Sequence, residues 1–167
     1  MPQGPAARAT IDTTAHGLPP TLTPGLGSLD VKIGFMPAWR GMPLAAVGVL
    51  QAAKTVADTA IKVATAAATA AAGTPAGPAA KAAEEAAKAA ALSAMSTAIT
   101  AASGGADIHS CTVPLPTPPH GPGVDITGSA TVSINFLPAG RQGDTLLEAI
   151  GPPNTITKGE VTVIIGG

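Results

Sequence analysis

The chain has 167 residues, a formal net charge of -1 at pH 7 and a sequence pI near 6.2. This length fits one domain, or one domain with an insertion, and the near-neutral charge argues against nucleic acid as a partner. The composition includes one Trp, two Phe and no Tyr, so aliphatic residues and alanine must build the core. A single Cys permits no internal disulfide, and the N-terminal sequence lacks the basic-then-apolar pattern of a cleaved signal peptide, which predicts a protein made in the cytoplasm.

The first 43 residues are rich in Pro and Gly and contain one clear strand pattern. Residues 29–35, LDVKIGF, alternate so that Leu29, Val31, Ile33 and Phe35 share one face. After residue 107 the same kind of pattern returns in TVSINF at 131–136 and in VTVII at 161–165. These three segments predict β structure on both sides of the middle of the chain.

Residues 44–105 differ sharply from their flanks because they are dominated by alanine. A helix is predicted over residues 44–72, with Val49, Val56 and Val63 at heptad spacing on the face expected to pack. Lys54, Asp58 and Lys62 lie on the other side of this helix. The sequence GTPAGP at 73–78 predicts a turn, followed by a second helix that ends at Ala102, before Gly104 and Gly105.

The predicted domain organisation is a discontinuous β unit, residues 1–43 and 106–167, interrupted by an antiparallel helical hairpin at 44–105. Residues 89–106 carry no charge, but they are mostly Ala, Ser, Thr and Gly, which gain little from lipid. The first helix contains three charged residues in its middle. We therefore expect no stable membrane span.

The stretch from Asp107 to Gly121 contains the only Cys and two of the three His. His109 and Cys111 are two residues apart, so in an extended segment their side chains point to the same face. PLPTPP at 114–119 predicts a polyproline segment, either a ligand for a proline-binding module or, as we favour, a spacer that positions His120. With His16, these residues offer the four nitrogen or sulfur ligands of one structural zinc ion.

A hydrolytic zinc site is the alternative, with Asp107 or Glu148 as a base beside a zinc-bound water. Such a site needs an open coordination position, and a Cys111 thiolate as fourth ligand would close it. No nucleophile and base pattern is evident elsewhere in the sequence. The prediction is therefore a structural ion and no enzymatic activity.

Comparison of the chain with itself reveals a threefold repeat. Three windows align without gaps: GSLDVKIGF at 27–35, GSATVSINF at 128–136 and GEVTVIIGG at 159–167. Pro-Ala-x-Arg also occurs three times, as Pro5, Ala6, Ala7, Arg8; Pro37, Ala38, Trp39, Arg40; and Pro138, Ala139, Gly140, Arg141. An aspartate follows each motif once the helices are removed, namely Asp12, Asp107 and Asp144, and we expect each arginine to pair with its aspartate. Four residues beyond these lie His16, Cys111 and Glu148.

The three motifs, the strand pattern and the candidate ligands resemble the PAAR-repeat proteins, with residues 4–43 and 106–167 covered. Trp39 and Gly140 depart from the motif, and the helical hairpin lies outside it. The resemblance implies a mainly β, conical assembly of short β-hairpins with pseudo-threefold repeats, and a zinc ion near its apex bound by His16, His109, Cys111 and His120.

The function implied is that of a tip that caps the trimeric VgrG-type spike of a type VI secretion system or related contractile injection system. One copy would cap each trimer and sharpen it for membrane puncture, and would leave the cell when the apparatus fires. The helical hairpin would dock effector cargo or an adaptor. The alternative is a secreted effector, toxin or small zinc metalloenzyme delivered with the spike, with the hairpin acting on membranes.

Overall fold

The computed structural model describes residues 3–17, 19–114 and 119–167. Within these residues the chain forms two helices and ten short strands, about 34% helix and 28% strand. Helix exceeds strand, so the expectation of a mainly β chain is not confirmed. The elements are β1 (Gly4–Ala6), β2 (Lys32–Ile33), β3 (Met36–Pro37), α1 (Leu44–Ala71), α2 (Gly77–Ala102), β4 (Ile108–Pro114), β5 (Pro119–Asp125), β6 (Ser133–Ile134), β7 (Leu137–Pro138), β8 (Thr145–Glu148), β9 (Asn154–Thr155) and β10 (Glu160–Ile165).

The two helices cover the two segments predicted to be helical. α1 begins after Pro43, and α2 has Pro78 in its first turn, where a missing N–H costs nothing. Gly104 and Gly105 follow α2 with positive φ, as expected of glycines beyond a helix end. The two helices are antiparallel. Thr65, late in α1, donates a hydrogen bond to Glu84, early in α2, while Ala53, early in α1, lines one groove with Ala98, late in α2.

The face of α1 that packs is not the predicted one. Val49, Val56 and Val63 are exposed, whereas Leu50 and Lys54 are buried. Alanines on the inner side let α2 approach closely. The Lys54 ammonium donates to Asp58 Oδ1 at 2.5 Å and to the Gly151 carbonyl at 3.0 Å, so its charge is compensated where it is buried.

α1 is also long and apolar enough to cross a membrane, judged by length and composition alone. Little of this helix is buried against the rest of the described chain. The expectation of no stable membrane span therefore stays a prediction.

The segments 29–35 and 131–136 are tight hairpins rather than continuous strands. β2 pairs with β3 and β6 with β7, and the two-residue turns are Gly34–Phe35 and Asn135–Phe136. All four turn residues have positive φ, which reverses the chain in the manner of a type I′ turn. Of the face predicted for 29–35, only Ile33 is buried. The strand predicted at 161–165 is confirmed within β10.

The three Pro-Ala-x-Arg motifs close a ring of backbone hydrogen bonds at their third residues. The N–H of Ala7 donates to the Gly140 carbonyl at 2.9 Å, Gly140 donates to Trp39 at 3.0 Å, and Trp39 donates back to Ala7 at 2.8 Å. Bridges between the motifs follow the same cycle: Arg8 with Ala38, Arg40 with Ala139 and Arg141 with Ala6. Each motif therefore contacts both of the others.

Each motif arginine pairs with the predicted aspartate. Nη2 or Nε lies 3.0 Å from a carboxylate oxygen in all three pairs: Arg8 with Asp12, Arg40 with Asp107 and Arg141 with Asp144. Every one of these aspartates also accepts the backbone N–H of its own arginine, at 2.7 to 2.9 Å. The same carboxylate thus holds both the side chain and the backbone of the motif, which fixes the turn that follows.

Three apolar clusters surround this ring. The alanines in second place in the motifs are buried with one isoleucine from each repeat window: Ala6, Ala38, Ala139, Ile33, Ile134 and Ile165. Trp39 is fully buried in a second cluster with Leu22, Leu146 and Ile156. The third cluster joins the helices to the antiparallel sheet β4-β5-β8-β9, which curls into a half-barrel.

Asp125, the last residue of β5, gives the fold a pH dependence. Oδ1 accepts the Thr127 N–H at 2.9 Å, while Oδ2 has no hydrogen-bond partner among the described residues. Complete burial, with a further contribution from Asp144, raises the pKa of Asp125 to about 8 from 3.8. The folded protein therefore keeps this proton where the unfolded chain has lost it, and stability should fall as pH rises from about 4 to 8.

We expect Asp125→Asn, which resembles the protonated carboxyl, to remove most of the decrease in stability between about pH 4 and pH 8. Near pH 8 its melting temperature should therefore be higher than that of the wild type. Calorimetry of both proteins at several pH values measures the effect. Glu85→Gln, on the partly exposed side of α2, is the control and should keep the same change of melting temperature with pH as the wild type. If the melting temperatures of the wild type and of Asp125→Asn changed in the same way with pH, the raised pKa of Asp125 would be contradicted.

Candidate metal centre

Three neighbouring strands and one loop bring the candidate ligands together. β4 pairs with β5, which places Cys111 opposite Gly121, and β5 pairs with β8, which places Gly123 opposite Glu148. His120 lies on β5 beside this register. The polyproline segment predicted at 114–119 falls largely on residues 115–118, which lie outside the described residues.

His16 comes from the loop after β1 and is tied to β9. The Asn154 side chain accepts the His16 N–H at 3.2 Å and donates to the His16 carbonyl at 2.7 Å. This amide thus fixes the backbone on both sides of the imidazole. His16 is partly exposed, and it is the most accessible member of the group.

One donor atom from each of four side chains lies within 4.8 Å of the others: His16, Cys111, His120 and Glu148. His16 Nε2 is 3.1 Å from His120 Nδ1 and 3.0 Å from Glu148 Oε2. His120 Nδ1 is 2.6 Å from the same carboxylate oxygen and 3.6 Å from Cys111 Sγ. These four side chains, which we call the metal group, could hold a metal ion.

A tetrahedral ion gives a reference for these distances. Ligands at about 2.0–2.3 Å from such an ion are separated from one another by about 3.3–3.7 Å. The distance from His120 Nδ1 to Cys111 Sγ, 3.6 Å, falls in this range, whereas the contacts of His16 with His120 and of both histidines with Glu148 are shorter, at 2.6–3.1 Å, as hydrogen bonds are. Cys111, His120 and Glu148 are buried, and burial of a carboxylate and a thiol beside two imidazoles is costly unless a cation or protons balance them.

His109 lies next to this compact group rather than inside it. Its Nδ1 is 3.1 Å from the Thr21 carbonyl, an acceptor, so Nδ1 carries the proton and Nε2 carries a lone pair. Nε2 is 3.7 Å from Glu148 Oε1 and has no hydrogen-bond partner among the described residues. Burial lowers the pKa of His109, which favours the neutral imidazole that a metal requires.

Glu148 is the member of the group that the ligand prediction omitted. It stands in the same repeat position as His16 and Cys111, but its side chain is a carboxylate and the predicted site has only nitrogen and sulfur ligands. Glu148 Oε1 accepts the Asn154 Nδ2–H at 2.8 Å, which leaves Oε2 directed at the two histidines. Asn154 therefore orients both Glu148 and His16, as outer-shell partners of metal ligands do.

Gly151 connects the metal group to the helical hairpin. A Cβ placed on Gly151 would lie 2.5 Å from His120 Nε2, so only glycine fits against this imidazole. The Gly151 carbonyl accepts from the Lys54 ammonium of α1. One buried lysine thus holds the loop that covers His120.

No protein-family model matches the chain, and no curated protein or solved structure matches it. The resemblance to PAAR-repeat proteins therefore stays a prediction from the sequence.

We expect the purified protein to contain about one metal ion per chain, and Cys111→Ser and His120→Ala to lose the ion and melt at lower temperature. The reason is that metal binding and folding are coupled when buried ligands need a cation. Elemental analysis and calorimetry measure both effects. Glu85→Gln, on the partly exposed side of α2, is the control and should keep the ion. Unchanged metal content in Cys111→Ser and His120→Ala would show that these residues do not bind the ion.

A matched pair of variants decides which residue is the fourth ligand. With Glu148 as the ligand, Glu148→Gln should release the ion, whereas His109→Gln should weaken binding by about 10–100-fold, as outer-shell substitutions do. Competition with a chelator measures the two affinities. The reverse order would assign the fourth position to His109.

Proposed function

We propose that the chain is a PAAR-type tip protein, a metal-stabilised cap that sits on the end of a trimeric VgrG-type spike in a contractile injection system. The observation that carries this proposal is the cyclic contact among three equivalent motifs. A single chain with three similar edges can meet a homotrimer so that each partner subunit faces a similar surface. One copy per trimer follows from that arrangement.

Contacts between the three repeat windows support the same conclusion. The eighth residue of each window approaches the second residue of another. Ser28 Oγ donates to Asn135 Oδ1 at 2.6 Å, and Ser129 Oγ donates to the Gly166 carbonyl at 2.5 Å. A Cβ on Gly34 would lie 2.8 Å from Glu160 Oε2, which closes the cycle. The windows at 27–35, 128–136 and 159–167 therefore follow one another around a common axis.

The exposed valines of the windows suit a threefold partner. Val31, Val132 and Val163 occupy the fifth position of their windows and are 36%, 37% and 37% exposed. The near-identity of these values is expected of equivalent positions around an axis. Apolar side chains that remain exposed in a ring offer a docking surface to the end of a β-helical spike.

Zinc is the ion that best fits the donor set. Thiolate and imidazole ligands suit zinc, and four protein donors leave no position for a reactive water, which agrees with a structural role. A tip forced through an envelope must be stiff, and a small apolar core supplies little stiffness by itself. The ion would join the loop carrying His16 to β4, β5 and β8.

The helical hairpin supplies a second surface, which we propose docks effector cargo or an adaptor. Val49, Val56 and Val63 form an exposed stripe on α1 that the rest of the described chain leaves uncovered. One observation favours a membrane-active hairpin instead, because α1 has the length and composition of a membrane-crossing helix. Release of dye from lipid vesicles by the purified chain would support this second candidate.

The proposal predicts one chain per spike trimer. Mass measurement by light scattering of the chain mixed with purified VgrG-type trimers of the producing organism should give this ratio. Val132→Asp should weaken binding by at least about 10-fold, because it places a charge in a desolvated interface. Val49→Asp, at a valine on α1 that is 75% exposed against 37% for Val132, is the control and should leave spike binding unchanged. Failure of the wild-type chain to bind any such trimer would exclude the proposed function.

A further inference from the structure

The two phenylalanines of the chain are the most exposed large apolar side chains among the described residues. Phe35 is 98% exposed and Phe136 is 101% exposed, and each stands at the tip of a two-residue turn. The sequence contains no other Phe and no Tyr, and its Trp is buried. Every aromatic side chain that could anchor a partner is therefore at one of these two tips.

Both phenylalanines also occupy a backbone conformation that disfavours them. The φ angle is 66° at Phe35 and 66° at Phe136, in the left-handed region where a bulky side chain is strained. Turns of this type are best made by Asn-Gly or Gly-Gly, and the preceding residues, Gly34 and Asn135, already follow that preference. Burial within the described chain does not offset the strained φ of these exposed Phe residues, so we expect their stabilising contacts to be made with a partner.

The two tips are equivalent in the repeat. Phe35 and Phe136 are the ninth residues of their windows, and Gly167 is the ninth residue of the third. Gly167 also has positive φ, 96°, and its carbonyl accepts from Arg141 Nη1. The three positions thus lie around one axis, and two of them carry an aromatic ring.

We propose that Phe35 and Phe136 are the anchors by which the chain is seated, each inserting into an apolar pocket of a different subunit at the end of a homotrimer. This inference rests on the proposed function and names the residues that provide its binding energy. The partner presents three equivalent pockets, and the pocket opposite Gly167 receives no ring. Aromatic anchors surrounded by partly exposed valines have the composition of interface hot spots.

A lipid surface and a second copy of the chain are the other possible occupants. At the Phe136 tip the Asn135 amide donates to Asp30 at 2.9 Å, whereas the Glu160 carboxylate beside the Gly34 turn is neutralised by its ion pair with Arg8. The negative charge of Asp30 disfavours an anionic membrane at the Phe136 tip. Two copies facing each other through this tip would bring the charge of Asp30 close to that of its own copy. A partner with threefold apolar pockets meets neither difficulty.

The test is Phe35→Gly and Phe136→Gly, singly and together, in the full-length chain. Glycine relieves the strained φ, and Phe136→Gly creates the favoured Asn-Gly turn, so the melting temperature should stay the same or rise. The affinity for purified VgrG-type trimers, measured by calorimetry or surface binding, should fall at least about 10-fold for each single variant and further for the double variant. Val63→Ala on α1 is the control and should match the wild type in both measurements.

Each other outcome overturns the inference. Wild-type binding with an unchanged affinity of the double variant would leave the proposed function intact and reject the anchors. A lower melting temperature of the glycine variants would assign the rings a structural role. Phe-dependent binding to phosphatidylethanolamine and phosphatidylglycerol vesicles, or Phe-dependent self-association in sedimentation, would identify a different occupant. Absence of wild-type binding to any trimer would reject both proposals.

Discussion

The closed ring of backbone hydrogen bonds among Ala7, Trp39 and Gly140 is the constraint on which the rest of the structure depends. Strands of two residues cannot hold themselves together, since each contributes few hydrogen bonds and little apolar area. The ring joins three segments that are far apart along the chain, at residues 5–8, 37–40 and 138–141. It needs a small second residue in every motif, and Ala6, Ala38 and Ala139 are all fully buried there. Trp39 and Gly140 replace the alanine as a matched pair, since a Cβ on Gly140 would lie 2.8 Å from Trp39 Cδ1.

The arginine and aspartate pairs carry this geometry from the ring to the metal group. Each aspartate accepts both the backbone and the guanidinium of its arginine, so the segment that follows leaves the motif in a fixed direction. Three donors of the metal group follow a motif aspartate by four residues: His16 after Asp12, Cys111 after Asp107 and Glu148 after Asp144. Equivalent starting points on a ring lead to donors that converge. The metal group is therefore a consequence of the repeat, and Asn154 and Gly151 supply the local adjustments that break its symmetry.

The α1–α2 hairpin is attached to this β part by a separate apolar cluster and by one buried charge. Leu50, Met95 and Ile99 pack on the sheet, while Lys54 reaches the Gly151 carbonyl beside His120. The β part can tolerate such a large insertion because the chain leaves and returns near Arg40 and Asp107, which are paired with each other. The outward face of α1 contributes nothing to this attachment, so its valines are available for a different purpose.

The amino-acid sequence by itself determined the two helices, the three repeat windows, the arginine and aspartate pairs, and three members of the metal group, because each follows from local propensity or from internal repetition. Only the tertiary structure decided which face of α1 is buried, since close packing of alanines outweighed the hydrophobicity of three valines. It also decided that residues 29–35 and 131–136 reverse at left-handed turns, a backbone choice that alternating hydrophobicity does not report. The inclusion of Glu148 beside His16 and His120 likewise depends on strand register, because distances between β5 and β8 are fixed by pairing and not by spacing along the chain.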